Sequence, residues 1–293
     1  MDGVIVVDKP EGLTSHDIVN RLRRLAQTRK VGHLGTLDPM ATGVLPLLIG
    51  RATRLAQFFS TGEKKYDALI RFGWATDTYD RDGKPISEPV EPRFTRDQLE
   101  AALQPFRGTF FQTPPAFSAK KIAGTPAYRL ARKQIAVELT PVEVRAFALD
   151  LLEFDGATAR VRVHCSAGTY LRSIAHEAGR LLGCGAFLGA LRRTSSGEFT
   201  QQHARTLEQL ASLASAGDFD QAIIPAAHLL PHFPNATVDA LTVSQIRQGK
   251  DFRLSPFVDR AGAKHVKAIS QQGDLIAIGE ARLPHLYHPI LVL

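Results

Sequence analysis

The run VEVRAFALDLLEFDGATARVRVHC, from Val142 to Cys165, contains two apolar, β-prone stretches on either side of Asp155-Gly156. Asp-Gly is a favoured two-residue connection between antiparallel strands, because both of its positions tolerate positive φ. We therefore predict a hairpin whose strands cover 142–154 and 157–165. This hairpin favours a sheet built from strands that are neighbours in sequence, which is typical of α+β proteins.

A helix is expected directly after the hairpin. Thr169 is a candidate N-cap, because a threonine side chain can accept from the first free N–H groups of a helix. The apolar residues behind it recur at helical spacing and predict a buried face made of Leu171, Ile174, Ala178 and Leu181.

The N-terminal part shows the same mixture of elements. Gly3–Val7 predicts a strand, KPEG a turn, and Ser15 the start of a helix. Further strands are expected at Val44–Ile49, which contains Pro46 and is either buried or at an edge, and at Lys64–Gly73. Thr95 and Gln98 form a capping box for a helix that ends near Gln104.

The composition changes after a proline-rich segment, and we place a domain boundary near residue 235. Short strand-like pieces follow around Leu241, at His265–Ser270 and at Leu275–Glu280. The prediction is an α+β domain over 1–234 and a small β-rich accessory domain over 235–293, which is too short to be very stable alone.

The charge balance suggests a partner class. The chain has 36 Lys and Arg against 29 Asp and Glu, a net charge of +7. This charge favours a polyanionic partner, although a basic protein without such a partner is equally compatible with it. Cys165 and Cys184 have no metal-ligand spacing around them, and no apolar run approaches the ~18 residues of a membrane span, so we expect no metal site and a cytoplasmic protein.

The segment Gly32–Gly43, GHLGTLDPMATG, surrounds one carboxylate with three glycines and a proline. Pro39 disfavours the α region for Asp38 and holds its backbone extended. Asp38 has two interpretations: it caps a short helix that begins at Pro39, or it is a functional carboxylate displayed by a shaped loop.

Three further features could serve an RNA-binding site. Arg172 is expected in the first helical turn, where a cation opposes the helix dipole, so it either faces an anion or lies exposed on the surface. Tyr66 and Tyr170 have basic neighbours and either stack on a base or pack in the core. The run 118–134 has five basic residues and no acid, and we interpret it as an RNA-gripping loop: Lys120, Lys121, Arg129, Arg132 and Lys133.

Five motifs in sequence order, from Gly3 to about Ser195, resemble the TruB family of tRNA pseudouridine synthases. They are DKPEGLTSHD, GHLGTLDPMATGVLP, KKYDA, CSAGTYLRSI and ALRR. The resemblance implies the pseudouridine synthase fold, a mixed, largely antiparallel sheet flanked by helices. The match after residue 235 is poorer and implies a small PUA-like domain.

The resemblance also assigns roles to individual residues. Asp38 matches the catalytic aspartate and would be the nucleophile, Arg172 its arginine partner, and Tyr66 the active-site tyrosine. His33 matches a histidine associated with the flipped nucleotide. Tyr170 and Leu191 would line the pocket, Lys9 would be a positioning residue rather than a proton carrier, and 118–134 would be a mobile loop over the RNA.

The implied reaction converts uridine to pseudouridine in the T-loop of tRNA, at position 55, after the base is flipped out. It needs no cofactor or metal, and we expect a monomer without an obligate protein partner. Two alternatives stay open. One is a non-catalytic RNA-binding module or tRNA-folding chaperone, and the other is a synthase of the same fold that acts on ribosomal RNA or is guided by a partner RNA.

Overall fold

The computed structural model describes residues 1–118, 121–122, 124–127, 130, 139–254 and 263–293. The α-helices of at least eight residues in these ranges are α1 (Ser15–Leu25), α2 (Arg96–Leu103), α3 (Leu171–Leu181), α4 (Leu207–Ala216) and α5 (Ala240–Arg247). No helix in the described ranges is long and apolar enough to cross a membrane.

The strands of the first half are β1 (Gly3–Lys9), β2 (Val31–His33), β3 (Thr42–Ile49), β4 (Lys64–Phe72), β5 (Gly108–Gln112), β6 (Lys121–Ile122), β7 (Thr125–Pro126), β8 (Val142–Phe154) and β9 (Thr158–Cys165). Those of the second half are β10 (Ala186–Ser196), β11 (Phe199–Thr200), β12 (Ala204–Arg205), β13 (Ile224–Pro225), β14 (Asn235–Val238), β15 (Phe252–Arg253), β16 (His265–Ser270), β17 (Leu275–Leu283) and β18 (Leu286–Val292).

The larger sheet has the order β12-β1-β3-β10-β4-β9-β8-β5, with β2, β11 and β13 paired beside it. Neighbouring strands are antiparallel except where β12 joins β1 and where β3 joins β10. The mixed, largely antiparallel sheet and the predicted hairpin are therefore confirmed. Pro46 lies in β3, in register with Val6 of β1. Because β3 is an internal strand, it is buried and does not form an edge of the sheet.

The helices cover one face of this sheet. Ile18, Val19 and Leu22 of α1 pack in the same core as Leu171 and Ile174 of α3. The predicted capping box at Thr95–Gln98 is present at the start of α2, and the structure adds a second one, at Thr14–Asp17, at the start of α1. The predicted helix bounds agree with these caps because the signal is local.

Three local predictions are wrong. Leu181 is 50% exposed, because the packed face of α3 centres on Ala175 and Ala178 and its last turn leaves Leu181 at the surface. Thr169 does not cap α3; the N-cap is Tyr170, while the Thr169 hydroxyl donates to the Ser166 carbonyl. Leu241 lies in α5 rather than a strand, since the Asp239 side chain accepts from the Thr242 N–H and starts a helix there.

A second sheet, with the order β14-β16-β17-β18-β15, lies in the C-terminal segment. Its residues Leu275, Ile278 and Leu291 share a core with Val4 and Val6 of β1, on the face opposite α1. The junction also contains a buried cation. Lys267 is 3% exposed, and its Nζ donates to the carbonyls of Ala227 (3.0 Å) and Leu229 (2.8 Å).

Candidate active site

A cavity of about 220 Å³ opens where β4, the Asp38 loop and the start of α3 meet. It is smaller than the ~300–1,000 Å³ typical of pockets for drug-sized ligands, which suits a single nucleobase. Its lining includes most of the predicted active-site residues: Asp38, Tyr66, Tyr170, Arg172 and Leu191. The other lining residues are Gly35, Thr36, Leu37, Lys64, Gly168, Thr169, Leu171 and Arg193.

Arg172 pairs with Asp38 inside the molecule. Arg172 is 4% exposed, its Nε lies 2.9 Å from Asp38 Oδ2, and its Nη2 donates to Asp38 Oδ1 at 3.3 Å. Nη1 donates to the Thr78 carbonyl at 2.9 Å, and Nη2 also donates to the Phe117 carbonyl at 3.0 Å. Arg172 therefore faces an anion, and Asp38 is a loop carboxylate held by a cation.

A second carboxylate lies behind this pair. Asp80 is 5% exposed, and its Oδ2 is 3.5 Å from Arg172 Nη1. Its Oδ1 accepts from the Thr78 hydroxyl at 2.6 Å and from the Asp82 N–H at 3.1 Å. One buried guanidinium thus serves two carboxylates, of which only Asp38 lines the cavity.

The pKa of Asp38 is raised above its ordinary value because burial disfavours the charged form. Arg172 opposes this increase, the negative charge of Asp80 adds to it, and Lys9 also opposes it. The ionised carboxylate therefore depends on the two cations next to it.

Lys9 holds the loop that carries Asp38. It is fully buried, and its Nζ donates to the carbonyls of Ala41 (2.6 Å), Pro39 (3.1 Å) and Pro10 (2.9 Å). Burial lowers the pKa of Lys9 to about 8, although the nearby Asp38 charge acts in the opposite direction. The contacts with Pro39 and Ala41 hold the backbone that directly follows Asp38.

Arg193 holds the same loop from β10. It is fully buried, and its guanidinium donates to the carbonyls of Val44 (2.7 Å), Gly35 (3.1 Å) and Thr36 (3.4 Å). The Ser15 hydroxyl completes the support, since it accepts from the Leu37 N–H at 2.8 Å and lies 3.0 Å from the Leu37 carbonyl. The loop is fixed through its backbone, which leaves the Asp38 side chain in the cavity.

The aromatic walls of the cavity differ in how they are held. Tyr66 is 7% exposed and lies opposite Arg193 in register; burial raises the pKa of Tyr66, and the Arg193 charge opposes that increase. The backbone of Tyr170 is held at both ends by Gln112, whose amide accepts from its N–H at 2.7 Å and donates to its carbonyl at 2.9 Å.

Not all predicted residues meet in the cavity. His33 lies in β2, opposite Leu47, and does not line it; burial lowers the pKa of His33. Lys121 lies in β6, whereas Lys120, Arg129, Arg132 and Lys133 lie outside the described residues. In the described part of the chain, no cluster of three or more His, Cys, Asp or Glu could hold a metal ion.

Asp80, Gln112 and the role of Arg193 were not predicted from the sequence. Arg193 lies in ALRR, one of the five motifs that resemble the family, so the sequence did contain a signal for this residue. Asp80 contacts Arg172, and Gln112 contacts Tyr170. The two residues of each pair are far apart in the sequence, so no local spacing indicates either contact.

The sequence matches two family models. Residues 23–171 match the TruB family pseudouridylate synthase N-terminal domain, and residues 172–231 match the tRNA pseudouridylate synthase B C-terminal domain. The first match covers just over half of the chain.

Full-length relatives agree with these matches. The chain is 60% identical to tRNA pseudouridine synthase B of Solibacter usitatus over 293 residues, the whole of both chains. It is 38% identical to that of Aquifex aeolicus over 284 residues, 96% of each chain.

Solved structures show the same architecture. An H/ACA RNP bound to a substrate RNA containing 2'-deoxyuridine contains a chain 25% identical, with a TM-score of 0.72 over 99% of this chain and 84% of that one. A Cbf5-Nop10-Gar1 complex gives 27% identity and a TM-score of 0.71 over 98% of this chain and 83% of that one. Together with the family models and the relatives, these similarities show that the chain belongs to the TruB family of pseudouridylate synthases.

Proposed function

We propose that this protein isomerises uridine to pseudouridine in tRNA, at the T-loop uridine of position 55, without a cofactor and with Asp38 as the catalytic nucleophile. The observation that carries the proposal is the Asp38 carboxylate in a base-sized cavity, paired with the buried Arg172. The tRNA substrate is supported by relatives such as that of Solibacter usitatus, which bear the name tRNA pseudouridine synthase B.

The isomerisation moves the sugar from one atom of the base to another. The bond from C1′ to N1 breaks, a bond from C1′ to C5 forms, the hydrogen on C5 leaves as a proton, and N1 gains a proton. A carboxylate beside C1′ serves this reaction as a nucleophile or as the counter-charge of an oxocarbenium-like centre. Asp38 acts in its ionised form, which Arg172 and Lys9 favour.

Three of the other lining residues, Tyr66, Tyr170 and Leu191, contact the base. The target uridine must leave its stack at a cost of a few kcal/mol, which contacts in the cavity have to supply. Tyr66 supplies an aromatic surface, or takes part in proton transfer at the sugar, while Tyr170 and Leu191 form the other walls. His33 would meet the flipped nucleotide outside the cavity, from its position in β2.

The same proposal covers the whole chain. Residues 1–234 act as the catalytic domain, 118–134 as a mobile loop that grips RNA through Lys120, Lys121, Arg129 and Arg132, and 235–293 as a PUA-like RNA-binding domain. The T-arm of tRNA is the partner, and the protein works in the cytoplasm as a monomer, without an obligate protein partner.

The test is tritium release from tRNA labelled at C5 of uridine, because formation of the new bond obliges that hydrogen to leave. The purified protein and an unmodified tRNA transcript are the only macromolecules present, so release also shows that no guide RNA is needed. Wild type should release tritium in amounts that match the position-55 uridine, whereas Asp38→Asn should release none.

Binding of the same tRNA by Asp38→Asn is the control. Removal of a carboxylate from an RNA-binding cavity should leave affinity unchanged or increased, since Asp38 repels phosphate. No release by wild-type protein that still binds tRNA would contradict the proposal and favour a binding module or chaperone. Release from another uridine would contradict the T-loop assignment alone.

A further inference from the structure

Lys64 lies in the cavity wall and takes no part in the chemistry described above. It is the first residue of β4, opposite Cys165 of β9, and its side chain is half-buried. Across the cavity, the Arg172 charge is matched by carboxylates, whereas none of the carboxylates in the described ranges pairs with Lys64. Lys64 therefore leaves positive charge on this wall.

The ammonium group of Lys64 has donors to spare. Its Nζ donates to the Gly62 carbonyl at 2.5 Å, and an ammonium has three N–H donors. The side chain extends toward the Asp38 loop, because a Cβ added to Gly35 would lie 3.5 Å from Lys64 Cε. Burial lowers the pKa of Lys64, and the nearby Arg193 lowers it further, so a bound anion would favour the charged amine.

Backbone donors are also free in this wall. Gly168 and Thr169 line the same cavity, and their N–H groups donate to no residue within the described ranges. They follow Cys165, the residue opposite Lys64, after a short connection in which Gly168 has a φ of 85°. Unpaired N–H groups in such a turn, together with an ammonium, form an arrangement that suits anions.

We propose that Lys64 binds a phosphodiester that flanks the target nucleotide and so positions the uridine over Asp38. This inference rests on the proposed function, because only a nucleotide within an RNA chain brings a phosphate to the rim when its base enters the cavity. A phosphate matches both the ammonium charge and the free N–H groups. The contact supplies part of the binding that offsets the cost of base flipping.

Lys65 is a matched control for Lys64. It is the next residue of the same strand, carries the same charge, and is exposed. Successive residues of a strand point to opposite faces of the sheet, and Lys65 lies opposite His164 rather than Cys165. Long-range attraction of RNA to the protein is therefore similar for Lys64→Gln and Lys65→Gln, whereas a specific phosphate contact is lost only from the first.

The experiment combines these variants with RNA hairpins that carry one neutral methylphosphonate, either 5′ or 3′ to the target uridine. One of the two methylphosphonates should weaken binding of the RNA to wild type and to Lys65→Gln on the order of tenfold, which is the contribution of one charge-assisted hydrogen bond. The same substitution should leave the affinity of Lys64→Gln unchanged. If the methylphosphonate that weakens binding to wild type weakens binding to Lys64→Gln equally, or if neither methylphosphonate weakens binding to any of the three proteins, the proposal is wrong.

Turnover separates this inference from the proposed function. At saturating RNA, Lys64→Gln should retain most of the wild-type rate of tritium release, with the loss confined to a higher KM. Absence of release by wild type would contradict the proposed function, whatever the binding data show. Release by wild type, with equal methylphosphonate effects in all three proteins, would contradict the Lys64 contact alone.

Discussion

Arg172 lies between two carboxylates, and this position decides how Asp38 titrates. Burial raises the pKa of Asp38, and the charge of Arg172 is the main effect that opposes this increase. Asp80 shares the same guanidinium, so the ionisation of Asp38 depends on Asp80 as well as on Arg172 and Lys9. The pH range in which Asp38 is ionised therefore reflects its partners more than its own chemistry.

Arg172→Gln should shift the acid limb of the pH–rate profile to higher pH. Without the cation the pKa of Asp38 rises further, and activity is lost as pH falls through that pKa because the carboxylate becomes neutral. We expect kcat/KM at neutral pH to fall by about 10²-fold, equivalent to ~3 kcal/mol of lost stabilisation of the transition state. Tritium release between pH 5 and 9 is the measurement.

Arg180→Gln is the control for Arg172→Gln. Arg180 lies in the same helix but is largely exposed and pairs with Glu177. Its replacement should leave the pH profile in place. An unshifted acid limb in Arg172→Gln would show that Arg172 does not set the ionisation of Asp38.

The sequence predicted only part of this residue-level picture. Asp38, Tyr66 and Arg172 were identified through family motifs, and the cavity brings them together. Local spacing alone left capping and surface interpretations open for Asp38 and Arg172. Asp80 was missed because its contact with Arg172 joins elements that are distant in the sequence.

At the level of elements, the pairing of β3 with β10 places a strict requirement on the sequence. These strands run parallel, with Gly43 opposite Arg193, and they join the two halves of the sheet beside the Asp38 loop. A Cβ at Gly43 would overlap the backbone oxygen of Arg193, and its φ of 99° disfavours any other residue. Glycine is therefore needed here for the close approach of two strands.

Gly43→Ala should lower the free energy of unfolding by about 3 kcal/mol, the sum of ~1–2 kcal/mol for positive φ and a similar cost for the steric overlap. Gly12→Ala isolates the first contribution, because Gly12 has a φ of 83° but no heavy atom within 4 Å of an added Cβ. Urea unfolding of both variants is the measurement. Equal losses would mean that close packing at Gly43 contributes nothing.

Elements with strong local signals were predicted well. The hairpin at Asp155-Gly156 and the capping box at Thr95 depend on a few adjacent residues, and both are present. Leu241 was misassigned because the Asp239 cap starts a helix there. Leu181 was misassigned because its exposure at the end of α3 is decided by tertiary packing, which a periodic pattern does not contain.

At the level of the whole molecule, the C-terminal sheet is joined to the larger sheet by an apolar core and by a buried cation. The composition change near residue 235 coincides with the start of β14 at Asn235, but it gave no indication of how the segment packs. The shared core pairs Val4 and Val6 with Leu275 and Ile278, residues that lie near opposite ends of the chain. Long-range contacts of this kind have no local sequence signature.

Lys267→Ala should lower the free energy of unfolding by about 2 kcal/mol, because it leaves the carbonyls of Ala227 and Leu229 without this donor. Lys264→Ala is the control, because the Lys264 side chain is largely exposed and its Nζ forms only a surface ion pair, 3.7 Å from Glu280 Oε1. It should change stability by less than about 0.5 kcal/mol. Thermal unfolding of both variants decides whether the buried amine stabilises the junction.

The contacts of Arg193 also set a condition on synthesis of the protein. Its carbonyl acceptors, at Gly35 and Thr36 in the Asp38 loop and at Val44 in β3, lie 149 to 158 residues earlier in the chain. At ~5–20 residues per second, a ribosome needs roughly 8–30 s to reach Arg193 after the loop has been made. During that interval the loop lacks one of the two buried cations that hold its backbone, so a nascent chain that ends before Arg193 has no finished active site.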